Sequence, residues 1–268
     1  MKLLLTPALV AFATLSARRW GSQVAGWLVG FPLTSAPVTA ILVVDRGDGF
    51  AAAAALAIVL GVLSPAAFAL VYCRCAARLH WPACLAVGTA GFAAATLLLS
   101  RVALPPLLAA AVTAVLLRVV LALMPAPTGM ESPVRSPAWD LPARMLVATA
   151  FVLLLTGIAG RLGATLTGLL APFPLFAAVL TVFAHVNDGP ASAVAVLRGL
   201  LTGLYGFAAF FLVLGLLLVP AGPPVAFVCA TLAVVATQAV ALMLTRPRRA
   251  VVLTPAGRPG QNGRHEQS

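Results

Sequence analysis

Two Phe-Pro pairs, Phe31-Pro32 and Phe173-Pro174, stand inside long apolar runs and carry the sharpest chemical signal in the chain. Proline has no backbone N–H and its ring clashes with the preceding turn, so each pair kinks or breaks a helix. A helix restarting after such a break presents unpaired backbone donors and the positive end of its dipole, which suits an anionic group. Interruptions at corresponding positions of two halves mark midplane substrate sites in many transporters. Thr34, Ser35 and Thr39 follow the first break and supply hydroxyls for a ligand; after the second only Thr181 remains polar, which makes the site lopsided. The competing reading is a packing kink whose freed backbone groups are satisfied by neighbouring helices.

Charged groups at membrane depth are few. Arg198 lies about eight residues into an apolar run, roughly 12 Å along a helix. An ionisable group at that depth is expensive and is a functional candidate by default, so Arg198 joins the substrate-binding set, with snorkelling to the interface as the alternative. Arg118, nearer a run's end, is read as snorkelling. Asp45, Asp188 and His185 are the candidates for proton coupling. A solvated turn residue is the ordinary explanation of both aspartates, and His185, which can titrate near neutrality, lacks a charged partner at helical spacing. No acid lies mid-helix, which argues against a carboxylate proton relay. A phosphate-cradling Gly loop followed by Lys, an HExxH motif and a Ser-His-Asp set in a polar pocket are all missing, so no enzyme is expected. Cys73, Cys75, Cys84 and Cys229 do not have zinc-ligand spacing. No metal and no cofactor are expected.

These residues sit in a chain that is 62% hydrophobic and 9% charged. A spanning helix needs roughly 20 mostly apolar residues, and such runs occur from end to end. They are too continuously apolar for barrel strands. The expected class is therefore all-α, a polytopic helical membrane protein. The net charge of +11 is not a nucleic-acid signature, because five arginines (Arg246, Arg248, Arg249, Arg258, Arg264) lie in the C-terminal tail and most others at helix ends. That is how loop charge orients a membrane protein. Membrane lipids are the expected partners, and the tail's arginines could touch anionic headgroups.

An internal duplication organises the chain. Shifting the sequence by 142 positions lays residues 161–213 on 19–71 without a gap, with 19 identities in 53 positions. Arg19/Arg161, Gly21/Gly163, Gly26/Gly168, Phe31/Phe173, Pro32/Pro174, Thr39/Thr181, Gly47/Gly189 and Gly61/Gly203 are among them. Nine helices are predicted, at residues 3–17, 21–44, 50–72, 82–100, 103–124, 141–159, 162–186, 190–218 and 224–244. The first resembles a signal peptide, but Leu4, Ala8, Val10 and Ala17 match Leu146, Ala150, Val152 and Ala159, so it is kept as a membrane helix. Asp45 to Gly49 reads as a tight polar turn. Helices six to nine repeat one to four, and nothing repeats the fifth. An odd helix between two four-helix units turns the second upside down, which predicts an inverted repeat.

The predicted organisation is a first four-helix unit at 1–100, a connecting helix at 101–124, a polar cytoplasmic loop at 125–140, a second unit at 141–244 and a basic disordered tail at 245–268. Arg18, Arg19, Arg74, Arg78, Arg135 and the tail arginines then face the cytoplasm. The amino terminus lies outside and the tail inside a plasma (inner) membrane.

The run TGLLAPFPLFAAVLTVFAHVNDG, followed by LRGLLTGLYGFAAFF, resembles the GlpM family of small membrane proteins at Gly168, Leu169, Phe173, Pro174, Ala184, His185, Gly189, Leu197 and Arg198. The core's first proline falls at Pro172. The earlier copy keeps Gly26, Phe31, Pro32 and Gly47 but has Val43 and Leu56 at the His and Arg positions. The resemblance implies a fold of two four-helix units and single-unit relatives that pair as dimers, leaving a homo-oligomer open here. It implies no activity. On the residues themselves, the expected function is a transporter for a small solute, with an anionic one suited to the helix starts after the breaks, working by alternating access. The alternative is a non-transporting scaffold for envelope polysaccharide or lipid machinery.

Overall fold

The computed structural model describes residues 11–12, 14–16, 19–29, 31–32, 35–126, 142–143, 145–147, 149–150 and 174–245. Nine helices are bounded within them: α1 (Ser22–Val29), α2 (Ser35–Arg46), α3 (Asp48–Gly61), α4 (Leu63–Ala76), α5 (Trp81–Leu99), α6 (Pro106–Leu123), α7 (Leu175–Asp188), α8 (Pro190–Ala221) and α9 (Pro223–Thr245). No strand occurs among the described residues. Five helical stretches are long and apolar enough to cross a membrane: Asp48–Ala76, Trp81–Leu99, Pro106–Leu123, Pro190–Ala221 and Pro223–Ala241. The chain is thus an all-helical, multi-pass membrane protein by the length and composition of its helices. Most of the first and sixth predicted helices, the first half of the seventh, the loop from 127 and the tail from 246 lie outside the described residues.

The second predicted helix divides at its proline into α1 and α2. Pro32 cannot donate a hydrogen bond, yet its carbonyl accepts from the Ala36 N–H at 2.9 Å, so α2 restarts on it. The equivalent bond in the second copy runs from the Ala178 N–H to the Pro174 carbonyl at 2.8 Å and opens α7. The expected polar turn at Asp45–Gly49 is shorter than predicted, because Asp45 and Arg46 finish α2 while Asp48 and Gly49 open α3. Gly47 alone makes the turn, with φ 82°, and Gly189 repeats it between α7 and α8 with φ 88°. Only glycine takes that left-handed backbone without a steric penalty. Gly47 donates to the Val43 carbonyl and Gly189 to that of His185, again equivalent positions.

The third predicted helix is jointed at Val62, between α3 and α4. Pro65 explains the joint: it leaves the Gly61 carbonyl without its helical donor and crowds it. The counterpart of Pro65 in the second copy is Phe207, and α8 runs unbroken through it for 32 residues.

α8 is the centre of the bundle. It packs against α1, α3, α4, α6, α7 and α9, and more than half of its residues are buried. A side chain at Gly199 would run into the Gln23 carbonyl and the Trp27 nitrogen of α1, so the two backbones touch there. Gly215, near the far end of α8, sits over Leu56 and the Ala52 carbonyl of α3. At its near end α8 brings Arg198 within electrostatic range of Cys73 in α4. Early α3 therefore meets late α8, and late α4 meets early α8. The jointed helix and α8, which are equivalent in sequence, run antiparallel. The C-terminal ends of α4, α6 and α7 and the N-terminal end of α8 gather at one end of the bundle.

Gly199→Val is expected to destabilise the protein by about 1–3 kcal/mol through overpacking, seen as a lower unfolding temperature in detergent. Gly61→Ala is the control: its added Cβ meets nothing within 4 Å, so it should leave that temperature unchanged or raise it slightly.

Candidate functional site

Around the first break, Phe31 is half-buried and meets the Trp27 ring edge-on, with centroids 5.0 Å apart, while Pro32 is buried. The Thr39 hydroxyl is buried and donates to the Ser35 carbonyl at 2.9 Å. That is the local back-bond a helical threonine ordinarily makes. Thr181, its counterpart in α7, is fully buried and its Oγ1 has no hydrogen-bond partner. Leaving a buried hydroxyl unpaired costs about 1–3 kcal/mol. Two equivalent threonines, about two turns beyond equivalent prolines, thus have opposite hydrogen-bonding states. Thr34 and Phe173 lie outside the described residues. Among the described residues, contact between the second and seventh predicted helices comes mainly from α1, the half before the break, against α7.

Behind α1 lies a polar group that sequence reading missed. Trp27 Nε1 donates to Gln238 Oε1 at 2.5 Å, and Gln238 Nε2 donates to the Gly203 carbonyl at 2.9 Å. Gln238 is 2% exposed, and it packs so closely on Gly206 that a side chain there would displace its amide. One amide therefore fastens α1 and α9 to α8. The signal was present, since Gln238 is an amide in the middle of the apolar ninth helix, but its tryptophan partner is 211 residues away.

Arg198 does not extend towards the breaks. Its Nη1 donates to the carbonyls of Leu121 at 3.1 Å, Met124 at 3.4 Å and Pro125 at 3.3 Å, at the C-terminal end of α6. Arg74 Nε donates to the Leu123 carbonyl of the same end at 3.1 Å. A helix C-terminus carries about half a negative charge on its unpaired carbonyls, and two guanidinium groups cap it here. The His185 ring, half-buried, does have a partner: its Nδ1 shares a hydrogen bond of 3.0 Å with the hydroxyl of fully buried Tyr72. This bond ties α7 to α4. Asp45 and Asp188 are exposed at their turns, and Asp188 has a polar or electrostatic partner. Among the described residues no group of three or more His, Cys, Asp or Glu side chains is placed to hold a metal ion.

The structure therefore separates the predicted site residues into a break region (Phe31, Pro32, Ser35, Thr39, Pro174, Thr181) and a basic end (Arg198, with His185 and Asp188 near it). No family model, no curated protein and no solved structure matches this chain.

Trp27→Phe and Gln238→Leu should each lower stability. A double-mutant cycle between them should give a coupling of about 0.6 kcal/mol, up to about 1.7, as interhelical hydrogen bonds do in lipid. Thr181→Val should leave the unfolding temperature unchanged or raise it, because it removes an unpaired hydroxyl, whereas Thr39→Val removes a made bond and should lower it.

Proposed function

We propose that this chain is a transporter of the inner membrane that moves a small solute, anionic in at least one group, by alternating access. The observation that carries this reading is the pair of equivalent helix starts at Pro32 and Pro174, the first of which interrupts the run from α1 to α2. Pro32 and Pro174 occupy equivalent positions, and each opens a helix through the same carbonyl bond, to Ala36 and to Ala178. Interrupted helices at equivalent points of two repeats are the construction that transporters use for midplane sites. The unpaired, fully buried hydroxyl of Thr181 beyond one restart adds a polar group still lacking a partner. In this reading the two units form an inverted repeat of four plus four helices around one connecting helix. The antiparallel run of α8 against α3 and α4 supports that relation, as does the matched pair of single-glycine turns. The basic end of the bundle, with Arg74, Arg78 and Arg198, faces the cytoplasm. The likeness to the GlpM family belongs to the same proposal.

A scaffold without transport is the second reading, and one observation favours it. Arg198, the cation best placed by depth to meet an anionic solute, has its Nη1 engaged by α6 carbonyls.

Single cysteines placed across residues 29–39 and 171–181 of a cysteine-free chain separate the two. Labelling by a membrane-impermeant thiol reagent from alternate sides, with the pattern shifting when a transported solute is added, is expected for a gated pathway. If both stretches stay unlabelled from both sides, the prolines are packing kinks and the scaffold stands.

A further inference from the structure

We infer that the groove between α6 and α8 binds the headgroup phosphate of an anionic glycerophospholipid, held by Arg118 and by the part of the Arg198 guanidinium that does not cap α6, beside Tyr205. The inference needs only that the chain sits in a bilayer and does not depend on transport.

The groove is built by two antiparallel helices in register. Arg198 reaches the carbonyls of Leu121, Met124 and Pro125, and seven residues further along α8 the Tyr205 hydroxyl donates to the Ala114 carbonyl at 3.4 Å. Between those two ties lies Arg118, exposed on α6 and within electrostatic range of Tyr205. Snorkelling accounts for an arginine near a helix end, but not for the charge that collects here. Arg74 and Arg198 bring two full positive charges to a helix end worth about half a negative one. Arg118 adds a third, less than two turns back. Asp188 and the C-terminal ends of α4 and α7, partly offset by the N-terminal end of α8, answer some of this charge. About one positive charge remains, at a low-dielectric boundary where a counter-charge has most effect.

A phosphodiester supplies one negative charge and acceptors suited to guanidinium forks. The surface leading to Arg118 suits the remainder of a lipid. Leu108, Ala111 and Val115 share its face of α6 at helical spacing, and all three are exposed. An acyl chain running along that stripe, away from the α6 C-terminus, would bring its headgroup to Arg118. A soluble anion would use the charge but not the stripe.

The test uses the full chain reconstituted in nanodiscs of equal phosphatidylglycerol and phosphatidylcholine, with the lipid retained after extraction read by native mass spectrometry. Wild type should retain phosphatidylglycerol in preference. Arg118→Gln should lower that preference roughly fivefold, the effect of about one interfacial charge, and Arg118→Lys should keep most of it. Arg78→Gln, at an exposed arginine of the loop after α4 and outside the groove, should change little. Arg118 makes no bond in the α6 cap, so an unfolding temperature equal to wild type is expected for Arg118→Gln. The inference is overturned if wild type shows no preference, or if Arg78→Gln and Arg118→Gln weaken it equally. Competition by excess inorganic phosphate would also overturn it, because the site would then be one for a soluble anion.

Discussion

The backbone contact between α1 and α8 at Gly199 is the constraint on which the remaining arrangement rests. Helices in lipid gain little from burying apolar side chains against one another, because the lipid tails are equally apolar. What remains is close packing and a small number of hydrogen bonds. Gly199 lets α1 lie directly on α8, and only at that distance does Trp27 reach Gln238 on the far flank. Gln238 in turn depends on Gly206 for space and on the Gly203 carbonyl for its second bond. A short helix of eight residues, too short to span a bilayer by itself, is thereby fixed beside the first proline break.

The two matching segments share their backbone devices and differ in their side chains. Restart and turn carry equivalent hydrogen bonds in both. Yet Pro65 joints one long helix where Phe207 leaves the other continuous, and Leu56 lies where Arg198 brings a charge. Thr96 satisfies itself on the Phe92 carbonyl of its own helix, whereas its counterpart Gln238 bonds across helices. A single unit pairing with an identical copy would need both partners to carry every such feature. Two units in one chain are free to diverge. Here one copy supplies the jointed helix, and the other supplies the continuous core helix with its charge and its amide.

Sequence reading succeeded where the cause is local. Proline and glycine act on the bonds next to them, so the break at Pro32, the start of α7 after Pro174, the start of α8 at Pro190 and the beginning of α5 beside Pro82 were all legible. The turn at Gly47 was found but drawn too wide, because the polar residues flanking it looked like loop and are helix ends. Failures came where the cause is distant. That α8 is central depends on which helix lies against its glycines, and nothing in the order of residues states it. Arg198 was flagged by its depth, but its partners are carbonyls, which every residue owns and no sequence marks. His185 was read for a charged partner at helical spacing, and its neutral partner, the Tyr72 hydroxyl, went unseen for a related reason: it lies 113 positions away.

The single-residue turns at Gly47 and Gly189 have a bearing on biosynthesis. A helix joined to the next by one residue has no loop that could wait in water while its neighbour is inserted. α2 and α3 must leave the insertion machinery as a hairpin, and α7 and α8 likewise. In whichever unit has its turn on the far side of the membrane, the polar tip has to be carried across by the paired helices behind it. For the first hairpin that tip is Asp45, Arg46 and Asp48, and its two acids and one base leave it with one net negative charge. A tip with a single base is easier to translocate than the arginines that gather at the opposite end of the bundle, because acids weigh little in setting orientation.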